Sequence, residues 1–170
     1  SGSMTVSNPI EGGGLLGEVT GPGATFSGTG TVNLSGINTY LGETLIQSGT
    51  LNLNGSVLGD VTIESNGTLS GNATVHGSLY NNGILSPGNS IGSVFTTDLY
   101  LYPTNTYNVE VNAAGDSDVI IASGSAHIDG QVVVTPDDLN FTTPRIYTII
   151  TAGSDITGGF SSLTSSAPSL

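Results

Sequence analysis

The sequence has no cysteine and no tryptophan, and Arg145 is its one Lys or Arg, set against 13 acidic residues. Without cysteine there are no disulfides to hold the fold, a state that also suits a chain exported unfolded. The shortage of base matters more. At a formal net charge of −12 the chain argues against nucleic acid or an anionic membrane as partner, because phosphates are held by Lys and Arg. No apolar run approaches the roughly 18 residues of a membrane span, and no signal peptide opens the chain. Helical periodicity of useful length is missing as well. With 8% of residues charged, the surface rests on Ser, Thr, Asn and Gly. Val, Ile, Leu and Thr are abundant enough to mark a folded chain rather than a disordered one. A length of 170 residues allows one domain with a real core.

Ser1-Gly2-Ser3-Met4 reads as the remnant of an expression tag, and the chain as a piece of something larger. Between Thr5 and Ser27 the breakers Gly12-Gly13-Gly14 and Gly21-Pro22-Gly23 leave Leu15-Leu16 and Val19 among few apolar anchors. From Gly28 the pattern sharpens. Thr31-Val32-Asn33-Leu34 and Thr50-Leu51-Asn52-Leu53 alternate polar with apolar, the period of a strand with one buried face. Shorter strand candidates follow to Ile84-Leu85. Asn54-Gly55, Asn66-Gly67, Gly71-Asn72 and Asn82-Gly83 punctuate them as turn positions, since Gly and Asn accept positive φ at low cost.

Short strands at close spacing fit antiparallel hairpins or a parallel β-helix. The echoes decide between them. Gly49-Thr50-Leu51 returns as Gly67-Thr68-Leu69 and then as Gly83-Ile84-Leu85, at steps of 18 and 16 residues, about one solenoid coil each. Hairpins do not require such spacing, so the expected fold is all-β, a parallel β-helix. After Gly92 the sequence predicts longer strands over Ser93 to Tyr102, Thr106 to Asn112, Asp118 to Ser123, Ala126 to Thr135 and Arg145 to Thr151. That half also carries Tyr100, Tyr102, Tyr107, Tyr147, Phe95 and Phe141. Large aromatics bury much area and would close the end of a rod, which otherwise leaves a bare core and an open strand edge. The division expected is repetitive coils over residues 5–92, a capping segment over 93–160 and a Ser-rich linker over 161–170.

Four stretches carry a family resemblance. Asn38-Thr39-Tyr40-Leu41-Gly42-Glu43-Thr44 with Ser48-Gly49-Thr50-Leu51 resembles the strand repeat of bacterial autotransporter passengers, exported by type V secretion. Asn82-Gly83-Ile84-Leu85-Ser86-Pro87-Gly88-Asn89-Ser90-Ile91-Gly92 is similar to the start of their C-terminal segment. Tyr107-Asn108-Val109-Glu110-Val111 with Asp116-Ser117-Asp118, and Tyr147-Thr148-Ile149-Ile150-Thr151-Ala152 with Phe160, are similar to later parts of it. The resemblance spans roughly residues 28–163. It implies a right-handed parallel β-helix displayed outside the outer membrane. It also implies that the C-terminal segment, often called the autochaperone, folds first and templates the rest. The implied partners are the upstream passenger and a C-terminal translocator β-barrel of the same chain. The structural residues singled out on this basis are Asn82, Gly83, Pro87, Gly88, Asn89, Tyr107, Asp118, Arg145 and Tyr147.

Candidates for chemistry are few. Asp116 with Asp118 and the adjacent Asp137-Asp138 could bind Ca²⁺ or serve a glycosidase, but Asp beside Gly, Ser and Pro more often caps turns. His76 and His127 lack ligand-like spacing, and no Gly-x-Ser-x-Gly elbow is present. Arg145 is expected to pair with a carboxylate. The sequence therefore predicts no enzyme, no metal and no cofactor. A second reading keeps an adhesive or carbohydrate-binding surface, for a host surface or glycan, with Tyr80, Tyr100 and Tyr102 exposed in one line.

Overall fold

The computed structural model describes residues 23–137 and 144–166, together with the backbone of strand β1 (Ser3–Val6). Gly12-Gly13-Gly14, Leu15-Leu16, Val19, Asp138 and Phe141 lie outside the described residues.

The described residues form seventeen strands whose ladders are all parallel, stacked on three faces of a β-helix. The first face is built by β2 (Ala24–Phe26), the start of β4 (Thr44–Val57), the start of β5 (Val61–Gly71), β7 (Leu79–Asn81), β10 (Leu99–Leu101), β13 (Ala126–Ile128) and β16 (Ile156–Gly158). The second stacks β1, β3 (Thr31–Asn38), the later parts of β4 and β5, β8 (Ile84–Pro87), β11 (Thr106–Val111), β14 (Gln131–Pro136) and β17 (Ser162–Ser165). The third runs from the ends of β3 and β4 through β6 (Thr74–Val75), β9 (Ser93–Thr96), β12 (Val119–Ala122) and β15 (Ile150–Ala152). Parallel strands joined by crossovers take the right-handed sense.

The echoes in the sequence are rungs of one ladder. Gly49, Thr50 and Leu51 pair with Gly67, Thr68 and Leu69, and the last two of these pair with Ile84 and Leu85. The inward column of that face reads Val32, Leu51, Leu69, Leu85, Tyr107, Val132 and Leu163, each over its register partner. From Leu51 to Tyr107 these side chains are fully buried. Burying one such side chain stabilises the fold by roughly 1.5–3 kcal/mol, so the column accounts for the tolerance of a chain so poor in charge and aromatics. On the final coil Leu163 and Ile156 are 72% and 51% exposed, because no further rung covers them among the described residues.

Several expectations change. Of the Asn-Gly turn positions, Asn82-Gly83 does bend the chain between β7 and β8, but Gly55 and Gly67 lie inside β4 and β5, which run as long bent strands around corners of the helix. Gly49 has φ 77°, but Gly67 and Gly83 are absent from the positive-φ set; a Cβ at Gly67 would strike Ile46 O, and one at Gly83 would strike Glu64 O and Gly67 O. Those two glycines answer to the coil beneath rather than to their own dihedrals.

The strands after Gly92 do not lengthen. They span three to six residues, against 14 in β4 and 11 in β5. The coils lengthen instead, with steps of 22, 25 and 31 residues along the Leu85, Tyr107, Val132 and Leu163 column. Added residues form excursions between strands, because strand length is fixed by the width of a face. The strand expected from Arg145 is shorter: residues 145–149 lie outside any strand, and β15 starts only at Ile150. Part of the Ser-rich tail is β17, whose Ser162, Leu163, Thr164 and Ser165 pair with Gln131 to Val134 of β14, and Ser3 and Met4 belong to β1. The ladders cross Gly92 without a break, through β7 to β10 and β8 to β11.

Leu85→Ala, at the centre of the buried column, is expected to lower unfolding free energy by about 2–5 kcal/mol. Thr25→Ala on the exposed side of β2 should stay within about 0.5 kcal/mol. Denaturant titration of the two variants checks the contrast.

Candidate functional site

The C-terminal motif stretches that carry the resemblance meet around one buried carboxylate. The strand β11 alternates inward Tyr107, Val109 and Val111 with outward Asn108 and Glu110. Beyond Val111 the chain leaves the coil in a short hairpin-like excursion and returns at Asp118. Asp118 N donates to Glu110 O (2.9 Å) and Glu110 N donates to Asp118 Oδ2 (2.8 Å), so the two residues face each other across the base of the excursion. Asp118 Oδ1 accepts from Gly92 N at 2.7 Å, and Gly92 O accepts from Val119 N at 3.1 Å. One side chain thus joins the end of the Ser86 to Gly92 stretch to the coil that follows it.

The excursion is held at both ends. Asn112 Oδ1 accepts from Gly115 N (3.0 Å) and Asp116 N (2.9 Å), closing the turn locally. The segment 145–149 lies across it. Tyr147 donates its hydroxyl to Asn112 O (2.7 Å), Ser117 Oγ to Thr148 O (3.3 Å), and Arg145 Nη1 to Ala114 O (3.3 Å). Beneath, Tyr107 is fully buried, donates to Ile149 O at 2.9 Å and packs with its ring centroid 6.2 Å from that of Phe160. Arg145 is exposed, and its expected carboxylate partner is not among the described residues.

Asp118 has no solvent exposure. Burial pushes its carboxyl up to about 6, overcoming the two main-chain donors that favour the charged form; the nearby Glu110 charge adds to the rise. Burial also raises the Tyr107 phenol, with the Asp118 charge acting in the same direction. Glu110 Oε2 is buried with no hydrogen-bond partner among the described residues. The site therefore concentrates acidic charge in a chain that offers one strong cation.

The remaining motif residues build the corner that ends at Gly92. Pro87 is buried, opposite Gly71. Gly88 holds φ 77° and exchanges two 3.0 Å main-chain bonds with Gly71 in an antiparallel bridge; a Cβ there would strike Ser90 O and approach Gly92 N to 2.9 Å. No L side chain fits that conformation without strain. Asn89 is exposed and donates to Asn54 Oδ1 (3.1 Å). Asn82 and Gly83 sit one corner earlier, apart from the carboxylate: Asn82 N donates to Ile63 O (2.8 Å), and Gly83 N to Asn81 Oδ1 (3.0 Å).

Sequence reading singled out Asp118 without its partner Glu110, and missed the buried amides Asn81 and Asn105. Asn81 donates to Asn105 Oδ1 at 3.4 Å, and Asn105 Nδ2 to Tyr102 O and Asp129 O at 2.6 Å each. Their available signal was a polar residue in the inward phase, as at Asn81 after inward Leu79.

The other chemical candidates stay scattered. His76 and His127 are exposed, with His127 Nδ1 3.1 Å from Thr157 Oγ1. Asp137 N donates to Val111 O, and Asp116 accepts from Asn112 Nδ2. Among the described residues no three His, Cys, Asp or Glu are grouped to share a metal ion. Tyr80 and Tyr100 do line up on adjacent rungs, stacked at 4.9 Å and 9°, but they are half-buried and lie against each other; Tyr102 is two residues further along.

No family model matches the sequence. Two proteins from Serratia marcescens, each described as an extracellular serine protease, are similar to it. One is 35% identical over 157 residues and the other 32% over 166, each alignment covering 86% of this chain. The chain spans 15% of the length of either relative.

Asp118 gives the fold a signed pH dependence. Its folded value of about 6 lies above the unfolded 3.8, so the folded state holds the proton more tightly between the two. The stabilisation is complete below the unfolded value and is lost as pH rises through about 6. The shift corresponds to on the order of 2–3 kcal/mol. Melting temperature should rise on acidification across this window, with a shallower slope in Asp118→Asn than in the parent. Tyr147→Phe should cost about 1 kcal/mol through the lost bond to Asn112 O, whereas exposed Arg145→Ala should stay within about 0.5 kcal/mol. Thermal melts of the variants read both.

Proposed function

We propose that the chain is a structural part of the passenger of a secreted autotransporter, and that its C-terminal coils nucleate folding of the coils before them. The observation that carries this is the Asp118 carboxylate, which ties Gly92, Glu110 and, through the excursion it closes, the 145–149 segment into one unit. The extracellular naming of the two Serratia relatives supports the secreted setting, and the parallel β-helix supports the passenger reading.

The physical argument follows from the solenoid. A single coil cannot bury its inward column alone and gains stability from a folded neighbour. The C-terminal coils contain side-chain ties of long reach, such as Tyr107 to Ile149 and Tyr147 to Asn112, which hold several coils together at once. Coils emerging at the cell surface would add to this block rung by rung, and their folding would oppose return through a pore. On this reading the working partners are the upstream passenger and a translocator barrel of the same polypeptide, the module itself performs no catalysis, and its place is the bacterial surface or beyond. The adhesive alternative gains nothing from the tyrosines, since Tyr80 and Tyr100 turn their ring faces to one another.

Pulse-labelled hydrogen exchange during refolding of the whole chain tests the order. Amides of residues 93–160 are expected to gain protection before those of 28–92, and Asp118→Ala is expected to slow protection in both halves. Protection that starts in residues 28–92 would overturn the nucleation reading.

A further inference from the structure

The three Asn-Gly pairs share one chemistry and differ in how the fold holds them. In Asn-Gly the main-chain nitrogen of Gly can attack the Asn side-chain carbonyl carbon, because no Cβ on the second residue obstructs it. Asn54 is pinned as the electrophile. Its Oδ1 accepts from Asn72 N and Asn89 Nδ2 at 3.1 Å each, and its Nδ2 donates to Asn52 Oδ1 at 3.0 Å. Asn82 is half-buried, and the nucleophile beside it is engaged: Gly83 N donates to Asn81 Oδ1 at 3.0 Å.

Asn66 is exposed, and its carboxamide makes no hydrogen bond among the described residues. It also lies where the ladder is irregular. Ile46 pairs with Ile63 and Ser48 with Asn66, so β5 carries one residue more than β4 between those pairs. The extra residue leaves Glu64 and Ser65 without register partners immediately before Asn66, and all three are exposed.

We infer that Asn66 is a site of spontaneous deamidation in the folded protein. The Gly67 nitrogen gives its proton to solvent and bonds to Asn66 Cγ; the bond from Cγ to Nδ2 breaks and ammonia leaves, forming a succinimide. Water then opens the ring at one carbonyl or the other, giving aspartate or isoaspartate at that position. Water is the sole co-reactant, and no redox change occurs. The extra backbone carbon of isoaspartate enters directly after the irregularity, next to Glu64 and Ser65, which have no register partners. Each event also adds one carboxylate to a surface already short of cations.

The test is incubation of the folded, full chain in mildly alkaline buffer, followed by peptide mapping with fragmentation that separates aspartate from isoaspartate. A parallel sample is kept in denaturant. In the folded sample, conversion at Asn66 is expected to run several times faster than at Asn54 and Asn82; in denaturant the three rates should converge. Asn66→Gln should abolish conversion at that position and leave the other two unchanged. Conversion at Asn54 or Asn82 matching Asn66 in the folded chain, or an intact Asn66 there while the denatured sample converts, would overturn the assignment.

Discussion

In-register stacking of parallel rungs is the constraint on which everything else in this molecule depends. A side chain that points inward on one coil lies over its equivalent on the coil below, so each position inherits the demands of a column. The Leu51, Leu69 and Leu85 series shows the benefit, with identical side chains filling one line of the core. Gly67 and Gly83 show the cost, because main-chain oxygens of the preceding coil occupy the space a Cβ would need. With so few aromatics and charges, repetition does the work that large side chains do elsewhere.

Where repetition is interrupted, polar groups must be satisfied individually. The excursion between Val111 and Asp118 removes a stretch from the ladder, and main-chain groups it orphans find partners in the side chains of Asn112, Tyr147 and Arg145. Asp118 is the extreme case. It satisfies donors from two coils at once, yet burial and the Glu110 charge oppose its ionisation. Such a group joins distant parts of the chain while leaving their stability sensitive to protons. The same coils hold the longest steps of the helix, so the strongest specific ties lie where the repeat is least regular.

The junction at Gly92 takes its meaning from this arrangement. It is not a break in the ladders, since β7 to β10 and β8 to β11 pair across it. It is the point at which a tight corner of Pro87, Gly88 and Gly92 is tied forward to Asp118. A polypeptide delivered to one end of such a solenoid needs a stable edge to grow on, and a corner bonded to the following coils provides one.

The sequence by itself determined the all-β class, the parallel stacking and the register of the first coils, because a column of identical residues repeats visibly at the coil length. It also marked Pro87, Gly88, Tyr107, Asp118 and Tyr147 as structural positions. Strand ends were not legible there. Thr44 to Val57 reads as separate short strands, and only the neighbouring coils turn it into one bent strand. Nor was the pairing of Asp118 with Gly92 and Glu110, or the inward placement of Asn105. Those depend on which loops cross which corners once coils of unequal length are stacked, and contacts of that range leave no periodic trace in the chain.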